Sequence, residues 1–165
     1  MIKDSGNREQ FYDSNGNPIA VRDIQEGKGR CDLIPLDVVA GFMETEAWEH
    51  RVIQQIARFQ QSGDIEHLQL TLSAFLLEHP WRVPDMLLEV SIHFEEGAKK
   101  YGEQNWRKGL PVRCYINSSI RHYLKWLRGD KDEPHDRAFV WNILCCIWTC
   151  IHKPELNEYS APLDK

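Results

Sequence analysis

The sequence predicts an all-α, helical bundle of four to six helices. Three observations carry that expectation. Apolar residues recur at helical spacing from Pro35 onward, and no stretch alternates with period two between turn signals. Six Trp, five Tyr and six Phe supply material for one buried core. The 165 residues fit a single domain, which at this size buries roughly 70% of its unfolded surface.

Residues 1–30 read as loop. Asp13-Ser14-Asn15-Gly16-Asn17-Pro18 is turn chemistry, and Glu26-Gly27-Lys28-Gly29-Arg30 is a second flexible, charged stretch. In the first long helix Trp48, Val52, Ile56 and Phe59 fall at i, i+4, i+8 and i+11, and the pattern stops before Ser62-Gly63. Asp64 is placed to cap the next helix, whose Ile65, Leu68, Leu72, Phe75 and Leu76 share one side, and His79-Pro80-Trp81 ends it. Pro84 suits the first turn of a third helix carrying Leu87, Val90, Phe94, Ala98 and Tyr101. A loop spans 102–111. Ile116, Ile120, Tyr123, Leu124 and Leu127 set the register of a fourth helix, the link 129–134 interrupts the chain, and an apolar helix runs from about His135 to His152.

A net charge of −5 gives no general attraction for a nucleic-acid polymer or an anionic membrane. An anionic ligand must then be held by a local cluster of bases or by a metal ion. The start, MIKDSGNREQ, lacks the apolar core of a secretion signal. The greasiest stretch, 138–151, is interrupted by Asn142 and Thr149 and is too short to span a bilayer. Five Cys without a CxxC pair, three of them (Cys145, Cys146, Cys150) on that stretch, suggest buried reduced thiols. The expectation is a cytoplasmic domain.

Asp85, Glu89, His93 and Glu96 form a stripe on the third helix, with Glu95 beside it. Such a stripe is either a solvated face or one half of a hard-metal site, since Mg²⁺ takes oxygen ligands that a helix can present one turn apart. A second acidic element, Glu133-Pro134-His135-Asp136, opens the last helix, where the dipole alone also favours acids. Lys99, Lys100, Arg107 and Lys108, with Gln104, Asn105, Tyr101 and Trp106, follow the acidic helix within eleven residues. This loop can hold a triphosphate and stack a base, or it is simply a helix C-terminus with a polar turn. It is no P-loop, because GxxxxGK[ST] is absent.

The blocks Gly29-Arg30-Cys31-Asp32-Leu33-Ile34-Pro35, Gly97-Ala98-Lys99-Lys100-Tyr101-Gly102 with Asn105-Trp106, Arg121-His122-Tyr123-Leu124, Pro134-His135 and Trp141-Asn142 resemble the dATP/dGTP diphosphohydrolase N-terminal domain family. That family is similar to the all-α, MazG-like nucleotide pyrophosphohydrolases. The resemblance implies hydrolysis of a (deoxy)purine nucleoside triphosphate, of the dATP/dGTP class, to the monophosphate and pyrophosphate with Mg²⁺, or Mn²⁺ in its place, in a homo-oligomer. It implies a helical catalytic domain over 31–152 with an inserted helical segment at 44–82, a flexible 1–30 and a tail at 153–165. Glu89, Glu95 and Glu96 fall where the family's first metal-binding cluster belongs, and Glu133 and Asp136 match its ExxD pair. Glu89 and Glu95 would serve catalysis. Lys99, Lys100 and Arg121 would take the phosphates; Asn105, Trp106 and Asn142 the base or sugar. Arg30, Asp32, Tyr101, His122 and His135 would be further substrate contacts. Ile92 and His93 stand where additional acids would be expected.

Two other readings compete. His135-Asp136 is a literal HD dyad with His93 and His122 upstream, although no later Asp appears before Asp164. An HD-type phosphohydrolase would use manganese or iron and release whole triphosphate. A non-catalytic helical interaction protein would show no turnover and would tolerate loss of Glu89 or Glu95.

Overall fold

The computed structural model describes residues 6–23, 28–43, 47–77 and 83–160, which form six α-helices and one β-hairpin. The helices are α1 (Leu36–Phe42), α2 (Trp48–Ser62), α3 (Ile65–Leu77), α4 (Val83–Tyr101), α5 (Val112–Arg128) and α6 (His135–His152). The all-α expectation holds, and the helix ends follow local chemistry. Asp64 caps α3 by accepting the Glu66 N–H at 3.0 Å. Gly63 closes α2 with φ +68°, and a Cβ there would lie 2.6 Å from the Ser160 backbone nitrogen. Glycine is thus required both by the left-handed turn and by the close approach of the C-terminal segment.

α5 and α6 form the central pair, burying Ile116, Ile120, Tyr123, Phe139, Val140 and Ile143 completely. α2 adds Val52, Ile56 and Phe59 to the same core; α3 adds Leu68 and Phe75. The Phe75 ring meets Phe139 edge-on at 4.7 Å and Trp126 at 5.4 Å. Cys114, Cys145, Cys146 and Cys150 are buried free thiols. No helix among the described residues is long and apolar enough to cross a membrane.

Several expectations are corrected. Residues 1–30 are not all loop, and a sheet exists: β1 (Arg8–Tyr12) pairs antiparallel with β2 (Pro18–Asp23) around the expected turn, with a bulge between Gln10 and Tyr12. The alternation was hidden because Ile19 and Ala20, adjacent and so on opposite faces, are both buried. On α4 the buried face centres on Met86 and Val90, leaving Leu87 48% exposed. On α5, Leu124 and Leu127 also point outward. In both helices the core occupies a narrower arc than the apolar residues do. The break at His79-Pro80-Trp81 and the Glu26-Gly27 pair lie outside the described residues, as does the side chain of Trp48.

Candidate active site

A cavity of about 780 Å³ opens between β2, the C-terminal half of α4, the 102–110 loop, α5 and the start of α6. The hairpin makes one wall, and residues far away in sequence help to seat it. The Ala20 N–H donates to the Gly109 carbonyl at 3.1 Å. The Asn105 amide copies a strand partner: its Nδ2 donates to the Val21 carbonyl and its Oδ1 accepts the Val21 N–H. Asp23 takes the Lys100 ammonium at 2.7 Å and the Tyr101 hydroxyl at 2.9 Å. Lys100, expected to hold phosphate, is 8% exposed and committed to this buried ion pair. The GAKKYG…N block therefore builds the cavity wall through Lys100 and Asn105, while Tyr101, Asn105 and Trp106 also line the space.

Cations converge where β2 meets α5 and α6. Arg22 donates to the Cys114 carbonyl, to Ser118 Oγ and to Asn142 Oδ1, and Arg121 donates to the same Ser118 hydroxyl at 2.9 Å. Two guanidinium groups thus share one hydroxyl acceptor, and Lys28 and Lys125 also line the cavity. Burial lowers the pKa of Lys28 and, although Asp23 offsets part of this, Arg121, Arg22 and Lys100 lower it further. Burial and then Arg22 lower that of Arg121. A half-buried cluster of mutually repelling cations is an arrangement that an anion relieves.

The third wall is aromatic. Phe94 meets Trp106 at 5.2 Å and Trp141 at 5.8 Å, and His93 lies 5.2 Å from Trp141. The Trp141 indole N–H and His93 Nδ1 are buried there without a hydrogen-bond partner. Burial, reinforced by Arg137, holds the His93 pKa down at about 4. An aromatic wall with two buried, unmatched polar atoms beside it suits a heteroaromatic ring.

The acids are distributed otherwise than expected. Glu96 and Glu89 both face the buried Arg137 of α6, at 2.9 Å and 3.8 Å. Glu95 is exposed and paired with Lys99 one turn along. Asp136 accepts the backbone N–H of Arg137 at 2.8 Å. None of these four lines the cavity, whereas Glu133 and Asp132 do. Arg30 and Asp32 form a fork with each other at 2.6 and 2.8 Å and stand outside it. Mg²⁺ requires several oxygens around one point. Among the described residues Glu89, Glu95, Glu96 and Asp136 belong to no group of three converging ligand atoms, so this arrangement does not present them as a shared Mg²⁺ cage.

His122 lines the cavity, and its Nδ1 lies 2.9 Å from Nδ1 of the buried His135. His135 Nε2 lies 2.8 Å from Asp132, which also accepts from Lys125 at 3.2 Å. His135 and Lys125 hold the Asp132 carboxyl well below its usual range. Asn142 is buried and donates to the Ala138 carbonyl.

Of the residues named from sequence, the fold brings Tyr101, Asn105, Trp106, Arg121, His122, Glu133 and Asn142 to one cavity. Sequence reasoning missed Arg22 and Asp23, for which the only signal was a short Pro18-Ile19-Ala20-Val21 run after a turn. It also missed the shared use of Glu89 and Glu96 by Arg137. The family described as dATP/dGTP diphosphohydrolase, N-terminal, matches residues 61–159, and that span includes α3 to α6. No curated protein and no solved structure matches the chain.

Proposed function

Because the chain belongs to the dATP/dGTP diphosphohydrolase, N-terminal family, we propose that it hydrolyses a deoxypurine nucleoside triphosphate to the monophosphate and pyrophosphate. The observation that carries this reading is the pairing of Arg22 and Arg121 on the Ser118 hydroxyl, in a cavity walled on another side by Phe94, Trp106 and Trp141. The cations take the triphosphate as charge-assisted donors, and their mutual repulsion makes binding of that charge more favourable. The aromatic wall takes the base. There the Trp141 N–H can donate, and His93 Nδ1 can donate or accept according to tautomer. Asn142 fixes the Arg22 guanidinium by accepting one of its N–H groups.

Glu133, on the cavity wall beside an Asp132 already committed to His135 and Lys125, supplies the acceptor for the proton of an attacking water. Closure of the space by the hairpin limits bulk water and strengthens each of these interactions. Nothing in this account needs Glu95, which points to solvent beside Lys99.

The test is a panel of the eight common NTPs and dNTPs with Mg²⁺ or Mn²⁺, assayed separately for pyrophosphate and for triphosphate. Pyrophosphate from dATP or dGTP is the expected product. Release of triphosphate would replace this reading with an HD-type one, and absence of turnover with all eight would leave a binding protein.

A further inference from the structure

We propose that His122, Glu133 and His135 form a site for a divalent transition-metal ion, with Asp132 as the residue that orients His135. A ring nitrogen of each histidine and a carboxylate oxygen of Glu133 all lie within 4.8 Å of one another. The two Nδ1 atoms are 2.9 Å apart. Nitrogens bound at right angles to one six-coordinate ion at about 2.1 Å each lie about 3 Å apart, so the spacing of this histidine–histidine hydrogen bond also suits two ligands of a shared ion. A carboxylate only accepts, so the contact of His135 Nε2 with Asp132 places the proton on Nε2 and leaves the Nδ1 lone pair facing His122. A carboxylate behind a histidine ring is the usual support of a metal-ligating imidazole.

The donor set argues for the class of ion. Two imidazoles and one carboxylate suit Mn²⁺, Fe²⁺, Co²⁺ or Zn²⁺, whereas Mg²⁺ prefers an all-oxygen shell. A neighbouring group, Asp130, Asp132 and His135, also comes within ligand distance. There Asp130 already takes a two-pronged bond from Arg128, at 2.5 and 2.7 Å, and Asp132 takes Lys125, so these carboxylates are less available. His122 and Glu133 line the cavity, so an ion between them has open positions facing it. Bound there, it would lower the pKa of a coordinated water.

The experiment uses the whole chain, freed of metal with a chelator, without nucleotide, so its outcome is independent of the hydrolysis assay. Co²⁺ is titrated and followed by its visible absorption, and Zn²⁺ by calorimetry. One ion per chain is expected, not displaced by a tenfold excess of Mg²⁺. His122→Ala and Glu133→Gln should each weaken Co²⁺ binding by about 100-fold or more, and Asp132→Asn by about 10–100-fold with stoichiometry kept. Circular dichroism confirms folding, and Glu133, half-buried in the link before α6, can be changed without opening the core. Co²⁺ affinity unchanged in both His122→Ala and Glu133→Gln, or Mg²⁺ displacing Co²⁺ at equal concentration, would overturn the proposal.

Discussion

Lys99 and Lys100 are adjacent and chemically identical, yet their surroundings give them opposite parts. Lys99 is 72% exposed and reaches Glu95, itself 62% exposed, so Lys99→Met should change stability by no more than about 0.5 kcal/mol. Lys100 neutralises Asp23 in a buried pair, and Lys100→Met should cost about 3 kcal/mol. For a chain of this size that is roughly a 10 °C fall in Tm, measurable by calorimetry. The folded-state pKa of Lys100 is raised through the Asp23 and Tyr101 contacts, which outweigh burial. Its contribution is therefore complete below the ordinary lysine value and is lost as pH rises through the folded one. In the proposed function Arg121 is the residue whose charge serves the ligand. Arg121→Met should raise KM for the nucleotide by about 10–100-fold, the scale of one charge-assisted hydrogen bond, whereas Glu95→Gln should stay within about twofold. Equal KM values for wild type and Arg121→Met would remove the cation cluster from binding.

The hairpin is the element on which the cavity depends. Two strands alone are marginal in water, so β1 and β2 persist through their anchors on other elements. Asn105 supplies two of those bonds with a single side chain. Asn105→Ala should loosen β2 without unfolding the bundle, because the α5–α6 core does not include it. Hydrogen exchange should then quicken at Val21 while the amides of Ile120 and Ile143 keep their protection. KM should rise in the same variant, since Arg22 rides on β2. Unchanged exchange at Val21 would show that Asp23 and Ala20 suffice to seat the strand.

Across the whole molecule, acid stability should report on His93. The ring sits between α4 and α6 with Arg137 and Arg22 opposing its charge and Glu96 favouring it. Folded, it stays neutral down to about pH 4; unfolded, it takes a proton near 6.5. Stability from this residue is complete above pH 6.5, declines as pH falls toward 4, and is constant below that. The loss approaches about 3 kcal/mol on that span. Denaturant titrations at pH 7 and pH 4.5 should show it, and His93→Gln should reduce the difference. An equal pH dependence in that variant would place the effect on other groups.

What the sequence by itself determined is the helical frame. The faces of α2 and α3, the Asp64 cap and the left-handed turn at Gly63 depend on residues within a few positions, although the tight fit of Gly63 against Ser160 does not. The roles of the polar residues could not be read in this way. Lys100 finds Asp23 77 positions away, Arg22 finds Asn142 120 positions away, and Glu96 finds Arg137 41 positions away. No local spacing encodes such meetings. Glu89 and Glu96, legible as part of a stripe, turn out to answer Arg137, and the cations that face the cavity come partly from a hairpin with no periodic signal. Tertiary packing decided which charges are buried together, because only burial makes one pairing favourable and another costly.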